Sequence, residues 1–138
     1  MCEKGKYTDL IASTGCTSCI AGNAAPEEGM ALCDICPEGT FSSEGIENCI
    51  LCVAGTFGEK ALASECSACS AGRYAPEDGM QTCQDCPAGS SQGATGQPFC
   101  VECAAGSFQS QAGSASCKDC PGNDYSVPGA PACELCLK

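Results

Sequence analysis

Seventeen cysteines carry most of the chemistry this sequence could perform. One stands at position 2, and the other sixteen form C-x-x-C pairs at 16/19, 33/36, 49/52, 66/69, 83/86, 100/103, 117/120 and 133/136. Thiols at that spacing support redox exchange, zinc binding or structural cross-linking. Redox exchange needs one pair at a helix start beside a βαβ pattern, and eight copies on loop-like spacers do not fit it. Zinc takes four thiolates tetrahedrally, so eight pairs could hold four ions. Zinc sites, however, join C-x-x-C units two by two, which predicts alternating short and long gaps. Here the spacers are uniform, at 12 or 13 residues. Metal storage would need no glycine or aromatic at fixed offsets, and both are present. Disulfide cross-linking is the reading that remains.

Other catalytic groups are scarce. The chain has no His, so the commonest general base is missing. The acidic pairs Glu27/Glu28 and Glu77/Asp78 fall on expected exposed loop tips and read as solvated turns. No enzyme activity, cofactor or metal is expected. Six Lys+Arg against 17 Asp+Glu give a net charge of −11, which repels nucleic acid and anionic lipid. No apolar run is long enough to span a bilayer, so no membrane insertion is expected within this segment. Met1-Cys2-Glu3-Lys4 shows no secretory signal, and a signal peptide and any anchor are expected outside this stretch.

The cysteines are positioned by a repeat of 16 or 17 residues. Three residues after the second cysteine of each pair comes Gly5, Gly22, Gly39, Gly55, Gly72, Gly89 or Gly106, and only the last repeat is shifted, to Gly122 then Asn123. Two residues further on stands an aromatic, Tyr7, Phe41, Phe57, Tyr74, Phe108 or Tyr125, with Ala24 and Ser91 as exceptions. A second glycine closes most spacers, at Gly29, Gly45, Gly79, Gly96, Gly113 and Gly129. The unit reads C-x-x-G-x-[FY]-x6-7-G-x3-C-x-x. Glycine takes positive φ without steric penalty, so it suits sharp turns beside a bridge. Two such glycines around a polar stretch predict a small hairpin, with the aromatic on its first strand covering the neighbouring disulfide as a tiny local core. No spacer sustains a helical period, and Gly or Pro interrupts each one.

Composition agrees. Leu, Ile, Val and Phe number 18 of 138 residues and Trp is absent, too little for a central core. A bridge closing a loop of about 15 residues removes roughly 3 kcal/mol of unfolded-state freedom in the chain-entropy model. The expected fold is therefore small, disulfide-rich and mostly β-hairpin or irregular: an elongated, solenoid-like tandem array with little helix and no central core. Its repeats run 1–16, 17–33, 34–49, 50–66, 67–83, 84–100, 101–117 and 118–133, with 134–138 opening a further one.

Segments such as Cys36-Pro37-Glu38-Gly39-Thr40-Phe41 and Cys69-Ser70-Ala71-Gly72-Arg73-Tyr74 resemble the ephrin-receptor-like cysteine-rich repeat. They are similar also to the simplest cysteine-rich module of tumour necrosis factor receptors. The likeness covers the whole chain and specifies a module type rather than a function. It implies a secreted or cell-surface setting and a connectivity in which the second cysteine of one pair bonds the first of the next. That connectivity gives Cys2–Cys16, Cys19–Cys33, Cys36–Cys49, Cys52–Cys66, Cys69–Cys83, Cys86–Cys100, Cys103–Cys117 and Cys120–Cys133, leaving Cys136 unpaired or intermolecular. A staggered pattern (Cys16–Cys33 with Cys19–Cys36, and so on) would strand Cys2 instead, and spacing alone does not choose between them.

The repeat is uniform, continues to both ends and has no site that breaks it. This points to an extracellular structural protein, a segment of a stalk, surface coat or filament. The alternative is a ligand-binding ectodomain of a receptor or adhesion protein. Expected partners are copies of itself or further repeats of the same chain. The 21 Ser and Thr could carry O-linked glycans, and Asn23, Asn48 and Asn123 lack a sequon.

Overall fold

A computed structural model describes residues 1–9 and 15–136; residues 10–14 of the first spacer, and 137–138 beyond the last pair, lie outside the described residues. Among the described residues fourteen two-residue strands pair into seven hairpins. In order they are β1 (Lys6–Tyr7) with β2 (Thr17–Ser18), β3 (Asn23–Ala24) with β4 (Asp34–Ile35), β5 (Thr40–Phe41) with β6 (Ile50–Leu51), β7 (Thr56–Phe57) with β8 (Ser67–Ala68), β9 (Arg73–Tyr74) with β10 (Gln84–Asp85), β11 (Ser90–Ser91) with β12 (Val101–Glu102), and β13 (Ser107–Phe108) with β14 (Lys118–Asp119). In the eighth repeat a single antiparallel bridge, Tyr125 to Glu134, takes the hairpin's place. No helix occurs among the described residues. The fold is a small, disulfide-rich, mostly β tandem repeat.

The strand assignment explains the C-x-x-C spacing. The first strand carries the aromatic position, and the second is the x-x dipeptide between the two cysteines of the next pair, as in Lys6↔Ser18 and Tyr7↔Thr17. Two residues give the shortest strand that pairs on both sides of the register, and the cysteines flank it like clips.

The turn before each first strand explains the glycine. The Thr40 N–H donates to the Pro37 carbonyl at 3.1 Å, and Gly39 sits third in that turn at φ +82°, the geometry of a type II turn, which demands a residue at home with positive φ. The last repeat keeps the bond, Asp124 N–H to Pro121 carbonyl at 3.0 Å, but the positive φ moves one place earlier, to Gly122 at +55°. That position of the positive φ fits the mirror-image II′ turn, so the shifted glycine retains the same reversal.

The chain divides into two compact units: Met1–Val53 with Phe57–Ser67 and Asp78–Thr82, and Ala54–Thr56 with Ala68–Glu77 and Cys83–Lys138. Within each unit the same three backbone bonds tie a repeat to the next. In the first unit Gly22 N–H donates to Ser42 C=O at 3.1 Å, Ser42 N–H to Ala63 C=O at 3.1 Å, and Gly45 N–H to Cys19 C=O at 2.8 Å. In the second, Gly72 N–H donates to Gln92 C=O at 2.7 Å, Gln92 N–H to Ser114 C=O at 3.2 Å, and Gly113 N–H to Cys86 C=O at 2.8 Å. Buried backbone groups must find partners, and here each repeat finds some within its own hairpin and turn and others in its neighbours.

What is buried differs from the expected aromatic core. Cys2, Cys19, Cys36, Cys52, Cys69, Cys86 and Cys103, the second cysteines of their pairs, are at most 1% exposed. Beside them lie the first glycines up to Gly89 and the residue after the aromatic position, as at Ala25, Ser42, Gly58 and Ala75. The aromatics Tyr7, Phe41, Phe57, Tyr74 and Phe108 are only half-buried, and Tyr125 is 48% exposed. Adjacent repeats approach so closely that only sulfur, glycine and short side chains fit between them. The rings therefore pack on the flank of the ladder.

Candidate functional site

Eight disulfides, Cys2–Cys16, Cys19–Cys33, Cys36–Cys49, Cys52–Cys66, Cys69–Cys83, Cys86–Cys100, Cys103–Cys117 and Cys120–Cys133, close one repeat each. Their Cα atoms stand 5.6–5.9 Å apart, inside the range such bridges need. Most of the bridges are asymmetric in burial, Cys69–Cys83 (both buried) and Cys120–Cys133 (both half-buried) being the exceptions. Cys19 is fully buried while its partner Cys33 is half-buried, and Cys2 and Cys16 differ more, with Cys16 exposed. Cys136 is exposed and makes no disulfide. Among the described residues no cluster of His, Cys, Asp or Glu is arranged to hold a metal ion.

The first glycines sit where the ladder is tightest. A Cβ on Gly5 would come 2.2 Å from the Gly45 carbonyl oxygen, and one on Gly22 would come 2.3 Å from that of Leu62. The same collision recurs at Gly39, Gly55, Gly72 and Gly89, against backbone two repeats further on, whereas a Cβ on Gly106 would meet nothing within 4 Å. Leu62 holds φ +65° where six other repeats have their second glycine. Its backbone carries the matching bond, N–H to Cys36 C=O at 3.0 Å. The ladder bond is thus kept even where the sequence lacks the glycine that suits it.

Two buried glutamines extend the ladder into the loops. The Gln92 amide donates to the Phe99 carbonyl at 2.8 Å and its oxygen accepts from Ala94 N–H at 3.1 Å. Gln109 repeats this with Ser116, at 2.7 Å, and Gln111, at 3.0 Å. Both occupy the position after the aromatic, where a longer side chain turns out of the stack to tie down its own loop. On the outer surface the Arg73 guanidinium pairs with Asp85 at 2.8 Å across β9 and β10. The Tyr125 hydroxyl donates to a Glu134 carboxylate oxygen at 2.6 Å. That hydrogen bond, together with the carboxylate's charge, raises the Tyr125 pKa above its ordinary value.

Each unit also carries an open apolar groove built from the same repeat positions. In the second unit a groove of about 440 Å³ is lined by Tyr74, Pro76, Pro87, Pro98, Phe99 and Glu102, among others. In the first, a groove of about 240 Å³ is lined by Tyr7, Ile20, Asn23, Leu32 and Cys33. The shared parts are an aromatic, the residue after the next repeat's buried cysteine (Pro87 or Ile20), and the residue before its outer cysteine (Phe99 or Leu32). These grooves interrupt the uniformity expected from sequence. The signal was present column by column: the residue before the outer cysteine is Gly15, Asn48, Glu65, Thr82, Ser116 or Ala132 elsewhere, and a large apolar side chain only at Leu32 and Phe99.

A family model described as tyrosine-protein kinase ephrin type A/B receptor-like matches residues 39–73, 55–97 and 90–136. The matched stretches overlap and are cysteine-rich repeat throughout, a module type that is not enzymatic. No curated protein matches the chain.

Proposed function

We propose, from the premise that this chain belongs to the ephrin type A/B receptor-like family of cysteine-rich repeats, that it is a structural segment of an extracellular stalk, coat or filament. Eight bridges in 138 residues support an oxidising, extracellular setting. Among the described residues no helix is long and apolar enough to cross a membrane.

The observation that carries the structural reading is the ladder itself. Every bridge stays within one repeat and every repeat binds the next through the same backbone bonds, so repeats can be added without enlarging any core. Cys136 then pairs outside the segment, with a further repeat of the same chain or with another copy, and the second option gives a covalent head-to-tail link. Negative-stain electron microscopy and non-reducing electrophoresis of the oxidised chain test this. Covalent multimers that assemble into fibres and disappear on Cys136→Ser are expected. Discrete particles, unchanged by that substitution, would overturn the polymer.

The alternative, a ligand-binding ectodomain, is favoured by one observation, the pair of apolar grooves. Capture of a soluble partner by discrete particles would select it.

A further inference from the structure

We infer that the groove of the second unit binds an extended, basic segment of another protein, with an arginine or lysine side chain lying against Tyr74 and Phe99 and its charged head on Glu102. The groove is apolar along its walls: Pro76, Pro87 and Pro98 supply rigid surface, and Phe99 is 54% exposed. Together with these prolines, the exposed Phe99 ring makes an apolar patch of the kind that marks a contact surface.

Charge selects the occupant. Glu102 is the one charged side chain lining the groove, and it makes no ion pair among the described residues. The nearest cation in sequence to Tyr74 is Arg73, which is already held by Asp85 at 2.8 Å. A carboxylate without a counter-ion in the same groove as two aromatic side chains suits a guanidinium or ammonium, which can gain from a ring quadrupole as well as from the ion pair. The chain's net charge of −11 favours a basic segment, rather than an equally acidic surface of a second copy, as the occupant of this groove. The groove of the first unit, lined by Tyr7, Ile20 and Leu32 with no charged residue, offers apolar contact without the ion pair and serves as the internal comparison.

The test uses the oxidised full chain and fluorescein-labelled decapeptides in which prolines and leucines flank a central arginine, glutamine or glutamate. Fluorescence polarisation should show the arginine peptide binding about tenfold more tightly than the glutamine peptide, with the glutamate peptide weaker still. Phe99→Ser and Glu102→Gln should each remove most of that preference, and Leu32→Ser, in the other groove, should leave it intact. Non-reducing mass spectrometry showing eight bridges in every variant ensures that a loss is not misfolding. Equal binding of the arginine and glutamine peptides, or binding unchanged by Phe99→Ser, would overturn the assignment, since attraction to an acidic surface at large needs neither side chain. The structural reading of the ladder stands or falls separately, on fibre formation.

Discussion

Gly72 and Gly106 hold nearly the same backbone angle, φ +86° and +87°, yet an added methyl group would meet very different surroundings. At Gly106 only the left-handed conformation resists alanine, a cost of about 1–2 kcal/mol. At Gly72 the new Cβ would stand 2.2 Å from the Gly113 carbonyl oxygen, and backbone cannot step aside cheaply. Gly72→Ala should therefore destabilise its repeat by clearly more than Gly106→Ala, read as loss of hydrogen-exchange protection at Gln92 and Gly113. Equal effects would mean that the close approach is unimportant. Leu62 presents the reverse case. It holds a glycine's conformation at φ +65° with its side chain 52% exposed, so Leu62→Gly relieves strain and loses little packing. Set against the larger unfolded-state entropy of glycine, a net gain of up to about 1 kcal/mol is expected in exchange protection of that repeat. Tyr125 offers a third test. Because the Glu134 bond raises its folded-state pKa, the stability it adds is complete below the unfolded tyrosine pKa and is lost as pH rises through the folded value. Glu134→Gln should lower the Tyr125 titration midpoint toward the ordinary range, as followed by tyrosinate absorbance.

At the scale of the hairpin, position in the ladder determines how far a change spreads. The half-buried Phe41 lies on β5, and the neighbouring buried Ser42 exchanges backbone bonds with Gly22 on one side and Ala63 on the other. Phe41→Ala should loosen its own repeat and these neighbours, leaving exchange protection near Gln109 unchanged; a single global transition would contradict a one-dimensional array. Much of this element was legible in sequence. The period, the turn glycines and the aromatic on the first strand all follow from local chemistry that glycine and C-x-x-C spacing display openly. The second strand was hidden, because Thr17–Ser18 or Ile50–Leu51 reads as a mere spacer until its pairing partner is known. The burial order was hidden too. Sequence favours Phe and Tyr as core, but the close stacking of repeats admits Ala25, Ser42 or Gly58 instead. The grooves depend on three separated columns being apolar at once, a coincidence that appears only when neighbouring repeats are laid side by side.

For the molecule as a whole, sulfur takes the place of an interior. Each bridge fastens the second cysteine of one pair, buried in all but Cys120, to the first cysteine of the next, and the residues that would normally form a core are exposed, as at Ile20, Leu32, Ile35 and Val53. Each loop of this size contributes roughly 3 kcal/mol through the unfolded state, so reductant should abolish ordered structure rather than merely lower the melting temperature. The connectivity is the most direct measure of this claim. Non-reducing proteolysis with mass spectrometry should recover linkages such as Cys19–Cys33 and Cys36–Cys49, each confined to one repeat, with Cys136 alone outside the set. Recovery of crossed linkages such as Cys16–Cys33 with Cys19–Cys36, or of free thiols accompanied by bound zinc, would contradict it.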